Sequence, residues 1–357
     1  MNRILQNIFS QKNFLLVIKR FLLFIFISFT FSLLVFSQEQ SQAQKLYDSA
    51  KNLMNRGDFE NATSVINDAL EQSPDNYEIL KTFSLINYLK KDYSGSIDIC
   101  KKLVARSDVD EQAYQILGMN YKAIAETKES AKMYKEALKK FPKSGILYNE
   151  YGEVLASDKN MIGAIEQWEK GIEVAPNISG NYFNAVNFYV QNNNLVKQLI
   201  YGEIFINLES YTTRTATVKS LLLDAYTKLY SSGFLDNALN QSQKTSFTKL
   251  FIETMGKTKN VSFDGSLSEI LTAVRAKFIL DWFGSKNNIK YPFRLFDYLQ
   301  YLLREGYFEA YNEWIFGAAQ SPSDYQTWLD ANTTKAANFT QFQQSRVFKI
   351  PVGQYYQ

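Results

Sequence analysis

AQKLYDSAKNLMNRGDFENATSVINDALEQSPDN (residues 43–76) is followed by YEILKTFSLINYLKKDYSGSIDICKKLVARSDVD (77–110). Then come EQAYQILGMNYKAIAETKESAKMYKEALKKFPKS (111–144) and GILYNEYGEVLASDKNMIGAIEQWEKGIEVAPNI (145–178). Set beneath one another, these stretches share columns at an interval of 34 residues. Pro74, Asp108, Pro142 and Pro176 form one column, and Leu46, Leu80, Tyr114 and Tyr148 another. Small residues recur at Ala50, Ser84, Gly118 and Gly152, and again at Ala62, Ser96, Ser130 and Ala164. Ile66, Cys100, Tyr134 and Trp168 are bulkier, and Ala69, Leu103, Ala137 and Gly171 complete six columns. A fixed period decides the fold, because each unit must bury its apolar stripe against the next.

Two antiparallel helices pack closely where small side chains let their backbones approach. The small columns supply that contact within each hairpin, and the bulky columns fill the space between hairpins. Proline ends the second helix, since it cannot donate the hydrogen bond that would continue it. Asp108 stands in that column as a turn former and possible N-cap for the next helix. Short turns within the units read Gly57-Asp58-Phe59 and Lys91-Asp92-Tyr93, then Glu126-Thr127-Lys128 and Lys159-Asn160-Met161.

The six columns resemble the tetratricopeptide repeat (TPR) family, whose unit of this length is a helix–turn–helix. The resemblance implies an all-α fold: a right-handed α-helical solenoid of TPR hairpins followed by further divergent helical hairpins. Four units are expected at 43–76, 77–110, 111–144 and 145–178, within the stretch 43–177. A degenerate fifth follows at 178–210. There Tyr182, Val186 and Tyr189 keep phase, but Gln198 and Gly202 stand where a small and a bulky residue are expected. Residues 211–345 lose the rhythm and remain helical in pattern, with candidate helices at 215–230, 246–255, 267–283, 294–304 and 307–319. Residues 256–265 read as a loop, a short helix restarts at Ser321, and 346–357 read as an extended tail.

Residues 1–37 read as a secretory signal peptide. Arg3, Lys12, Lys19 and Arg20 precede an uncharged apolar run, Phe21 to Phe36, and Ser37 offers a small residue for cleavage. An uncleaved anchor is the alternative, although the run is shorter than the ~20 residues that span a bilayer. The expectation is an exported protein of the periplasm or cell envelope, touching the membrane only through the leader if that is uncleaved. A lipidated terminus is disfavoured because the one cysteine, Cys100, is far from the cleavage site. Cys100 sits in a bulky interior column and reads as a small buried hydrophobe.

The chain carries 39 Lys+Arg against 36 Asp+Glu, and the leader holds four of the basic residues and none of the acidic. The remainder is 35 against 36, a net charge of −1, which is not the footprint of a nucleic-acid binder. No histidine is present, which removes histidine-based nucleophilic catalysis and the usual zinc sites. Neither a P-loop nor a dinucleotide fingerprint occurs. No catalytic, cofactor-binding or metal-ligating residue is nominated.

In the TPR family the first helices of successive units line a concave groove that takes extended peptides or partner helices. By phase, the resemblance places Tyr47, Lys51 and Met54 there, then Lys81, Leu85 and Tyr88, then Gln115, Met119 and Lys122. Asn149 and Glu153 follow, then Phe183 and Asn187. Aromatic, Met and amide side chains with few charges suit an apolar or neutral polypeptide, and flexible methionines tolerate varied partners. The family's carboxylate clamp is not matched. The expected function is a non-enzymatic protein–protein interaction scaffold or adaptor. One alternative is a SusD-like carbohydrate-binding protein using aromatics such as Trp282, Trp314 and Trp328. Those tryptophans read more simply as fillers of a helical core. Another is a helical enzyme with paired carboxylates ~5–9.5 Å apart.

Overall fold

The computed structural model describes residues 42–231, 233–235, 246–259, 261 and 265–356. The leader, 1–37, lies outside the described residues, as do parts of the loop read at 256–265. The described elements are all helical and follow one another as hairpins. They fall into two compact units, Met1–Glu126 and Thr127–Gln357.

The first unit holds α1 (42–55), α2 (Phe59–Gln72), α3 (Tyr77–Leu89), α4 (Tyr93–Val104) and α5 (Glu111–Ala123). The second begins with α6 (Thr127–Lys140), α7 (Gly145–Ser157), α8 (Met161–Val174), α9 (Ser179–Gln191) and α10 (Leu195–Leu208). Four of the six columns are buried in every repeat. Ala50, Ala62, Ser84, Ser96, Cys100, Leu103, Ala137 and Ala164 have no more than traces of exposure, and Tyr134 and Trp168 are nearly as covered. In the second repeat the Ser96 hydroxyl donates to the Ser84 carbonyl (2.7 Å) and Asn120 donates to Ser96 (2.8 Å), whereas the buried hydroxyls of Ser130 and Tyr134 have no partner. Burial pushes the Cys100 thiol up, as befits a packing residue rather than a nucleophile.

The turns add a column that composition hides. Gly57, Lys91, Ala125, Lys159 and Asn193 recur at the same 34-residue spacing and all adopt positive φ, between 52° and 78°. The next residue caps the second helix. Asp58, Asp92, Asn160 and Asn194 each accept the backbone N–H three residues on. In the third repeat that position is Glu126. First helices are capped by Asn76, Asp110 and Ser144. Asp108 does not serve as the cap; its carboxylate pairs with Arg106 at 2.8 Å.

A left-handed conformation costs an L-residue about 1–2 kcal/mol, partly offset by glycine's extra unfolded-state entropy. Lys91→Gly and Lys159→Gly should each stabilise by about 0.5–1 kcal/mol. Raised urea midpoints would register this; unchanged or lowered midpoints would contradict it.

Beyond the repeats, α11 (Thr213–Tyr230) packs on α10, where Gly202 leaves room for it. A Cβ at Gly202 would stand 2.9 Å from Leu222. Gln198, anomalous by repeat phase, donates to the Leu221 carbonyl (2.8 Å). Then come α12 (Phe247–Gly256), α13 (Leu267–Gly284), the short α14 (Asn287–Lys290) and α15 (Arg294–Arg304). Helix α16 runs Phe308–Asn312, passes through a π turn at Glu313–Gly317 and ends at Ala318–Gln320. It is followed by α17 (Pro322–Ala331) and α18 (Thr333–Ser345). No helix among the described residues is long and apolar enough to cross a membrane.

The second unit's core is aromatic. Trp282 is fully buried between Phe278 and Phe296, with Phe247 edge-on at 5.6 Å. Beside it lies a buried polar knot. The Arg275 guanidinium meets the Glu203 carboxylate, the Asn312 amide oxygen and the Tyr226 hydroxyl, and Tyr311 donates to Glu203 at 2.9 Å. After α18 the chain is non-helical and lies back on the unit. Phe348 and Ile350 are buried, and Asn177 and Ile350 exchange two hydrogen bonds (2.8 and 3.0 Å).

Candidate functional site

Within each unit the first helices of successive hairpins touch one another. Tyr47 on α1 accepts from Thr82 on α3 (3.3 Å), and α3 contacts α5. In the second unit α7 contacts α9, and α9 contacts α11. The residues picked out by repeat phase sit on these first helices. Lys51 and Lys122 are exposed. Tyr47, Met54, Leu85, Tyr88, Gln115 and Met119 are half-buried, as are Asn149, Glu153, Phe183 and Asn187. A half-buried side chain is held in place by its neighbours and still offers a face.

Lys81 is the exception. It is buried, with its ammonium on Asp110 (2.5 Å) and Glu78 (2.9 Å). Burial alone would lower its pKa; the bonds from Asp110 and Glu78 outweigh that and raise it. Asp110 is the mirror case. Burial would raise its carboxyl, but Lys81 and the Tyr77 hydroxyl (2.8 Å) hold it below the usual range. Lys81 therefore joins α3 to the start of α5. Phase gave its helix face correctly and could not reveal its partner, the cap of the next first helix.

Apart from Gln115 and the exposed Lys51 and Lys122, the positions picked out on the first unit that keep some exposure are apolar or aromatic. Lys51 lies over the Tyr47 ring (5.1 Å), and Tyr88 packs on Tyr93 (5.8 Å). The second unit's face is built from amides. Asn184, which phase did not single out, donates to Asn149 (3.0 Å) and reaches Glu153 (3.4 Å), while Asn149 donates to Glu153 (3.2 Å). Asn184 lies 35 residues after Asn149, one step off the period, and that near-repeat was the available signal. Asn187 spends one amide hydrogen on the Phe183 carbonyl (2.8 Å). Phe183 packs on Phe205 (5.4 Å) and lies under Arg214, which Glu209 holds.

Carboxylates also meet in a hollow of about 260 Å³ lined by Glu269, Glu313, Asp324 and Trp328. Glu269 completes the capping box of α13, and Glu313 accepts from the Ser268 hydroxyl (2.7 Å). Burial and the nearby Glu269 and Glu309 carboxylates push Glu313 up, while Ser268 restrains it. Among the described residues no group of acidic or thiol side chains is arranged to hold a metal ion.

The fold is that of a helical-hairpin repeat protein. Residues 117–177 match the family model described as "Tetratricopeptide repeat". No curated protein matches the chain. Among solved structures it is similar to TTC0263, a thermophilic TPR protein of Thermus thermophilus (16% identity, 51% of this chain and 99% of that one, TM-score 0.43). It is also similar to pilF of Pseudomonas aeruginosa (14%, 60% and 98%, TM-score 0.47). A third likeness is to a tetratricopeptide repeat protein of Parabacteroides merdae (14%, 69% and 93%, TM-score 0.41).

Proposed function

We propose that this chain is a non-enzymatic interaction scaffold that takes a neutral or apolar polypeptide on its first-helix faces. The observation that carries the reading is the contrast between hairpin interior and first-helix face. The small and bulky columns are closed, while Met54, Leu85, Tyr88 and Met119 stay half-open beside one another's helices. Cancellation of the Lys81 charge by Asp110 supports an uncharged ligand over an acidic tail. In the second unit the amides of Asn149, Asn184 and Asn187 suit the backbone of an extended chain, since each amide has two donors and two acceptor lone pairs. The leader supports a place in the periplasm or cell envelope.

Tyr88→Ala combined with Met119→Ala tests the reading. Quantitative recovery of partners from envelope extract should fall about tenfold or more, as when an aromatic anchor is truncated. Far-UV circular dichroism should stay that of the unsubstituted protein. Equal recovery of every partner by both proteins would refute it.

A further inference from the structure

Away from the first-helix faces, the start of α15 and the returning C-terminal segment enclose a cavity of about 200 Å³. Its wall includes Arg294, Arg346, Tyr298, Tyr301, Phe342 and Phe348. Arg294 is the first residue of α15, and Arg346 is the first residue after α18. Among the described residues neither guanidinium has a carboxylate in salt-bridge contact. Arg346 lies over the rings of Tyr298 (4.9 Å) and Phe348 (5.8 Å) and donates from Nη2 to Asn207 (2.8 Å). Its Nε is buried with no hydrogen-bond partner. The Tyr298 hydroxyl is likewise buried without a partner, on a residue only 4% exposed. Glu203 is paired with Arg275, and Asp297, three residues on from Arg294, is exposed and feels the Arg294 charge without salt-bridge contact.

Buried polar groups in folded proteins are nearly always bonded, so two orphans on residues that line one cavity need an explanation. Arg346 Nε–H can only donate, and a phenol donates readily. With a second guanidinium alongside, the missing partner is an acceptor bearing negative charge. The other walls are aromatic, with Phe342 stacked on Tyr301 (5.8 Å). The volume equals about seven water-sized shares of liquid. We infer that this cavity binds a small organic carboxylate with an apolar or aromatic body, its carboxylate between Arg294, Arg346 and the Tyr298 hydroxyl. Neither guanidinium belongs to a repeat column, so the inference is independent of the polypeptide-binding reading.

Calorimetric titration of the purified protein with phenylacetate tests it, with phenylacetamide as the uncharged isostere and inorganic phosphate as the bare anion. Phenylacetate should bind saturably with a Kd of about 1 mM or tighter, and phenylacetamide about tenfold more weakly. Phosphate should bind more weakly than phenylacetate, because it leaves the aromatic walls unfilled. Arg294→Gln should weaken phenylacetate about tenfold, and Tyr298→Phe about threefold or more. Tyr298→Phe removes only an unpaired hydroxyl, so that variant should melt as the unsubstituted protein does and decides the matter if Arg294→Gln folds poorly. No saturable phenylacetate binding would overturn the inference. So would equal affinity for acid and amide, tighter binding of phosphate, or unchanged binding in Tyr298→Phe.

Discussion

Arg275→Met is expected to destabilise the second unit by about 3–5 kcal/mol, the usual cost of removing one partner from a buried ion pair. Its guanidinium is 2% exposed and the Glu203 carboxylate 7%, so water cannot replace the lost partner. Burial works against the charge on Arg275, yet the Glu203 carboxylate more than offsets this and holds its pKa above the ordinary value. Without Arg275, Glu203 keeps only the Tyr311 hydroxyl, while Asn312 Oδ1 and the Tyr226 hydroxyl each lose the guanidinium as a donor. A thermal midpoint lower by on the order of 10 °C would match a unit of this size. Glu203→Leu with Arg275→Met should recover part of the loss, because no charge is then stranded. The recovery is incomplete, since Asn312 and Tyr226 still lack their donor. A midpoint for Arg275→Met within a degree of the unsubstituted protein would show that the knot contributes nothing.

Gly152→Ala is expected to cost about 1–3 kcal/mol by overpacking a closed hairpin. A Cβ there would stand 2.3 Å from Trp168 Nε1 and 2.6 Å from Cδ1, against a flat ring with no flexible end to yield. Trp168 is 4% exposed and its indole N–H donates to the Asn149 carbonyl (3.3 Å), so it has no alternative seat. The two positions are matched in size. Where the first repeat has Ala50 and Ile66 in one buried cluster, the fourth has glycine and tryptophan. Trp168→Ile alone leaves a cavity and should also destabilise. The double variant Gly152→Ala/Trp168→Ile recreates the first repeat's pairing and should be less destabilised than the sum of the singles by about 0.5–3 kcal/mol. Urea titration of all four proteins measures that coupling; strict additivity would mean that the two positions do not constrain each other.

These two sites mark the reach of the sequence. Gly152 and Trp168 were legible as members of repeating columns, but their fit was not: the bulky column was expected between hairpins, and Trp168 closes on Gly152 within its own. Each copy samples another pair of sizes, from alanine with isoleucine to glycine with tryptophan. The Arg275 knot has no copy. Its partners lie 72, 37 and 49 residues away, at separations unrelated to the period. The first-helix positions were picked out by phase alone, and the structure shows only how far each is buried. Phase states which side of a helix a residue occupies, and it placed Tyr88 and Met119 on half-open positions. It could not show that Lys81 would be taken by Asp110, because that bond joins one unit's wall to the next unit's cap. Arg294 and Arg346, 52 residues apart and outside every column, gave no sequence signal at all.

The paired bonds between Asn177 and Ile350 span 173 residues. Hairpins need only their immediate neighbours, so they can close in order as the chain leaves the ribosome. The corner between α8 and α9 cannot. Its asparagine waits for a segment made 173 residues later, and loops that long close late. Until that segment emerges, the corner keeps an open amide and an uncovered apolar seat where Ile350 will lie. The segment around Ile350 thus acts as a seal applied after the repeats have formed, and any visitor to that seat must leave before the seal is set.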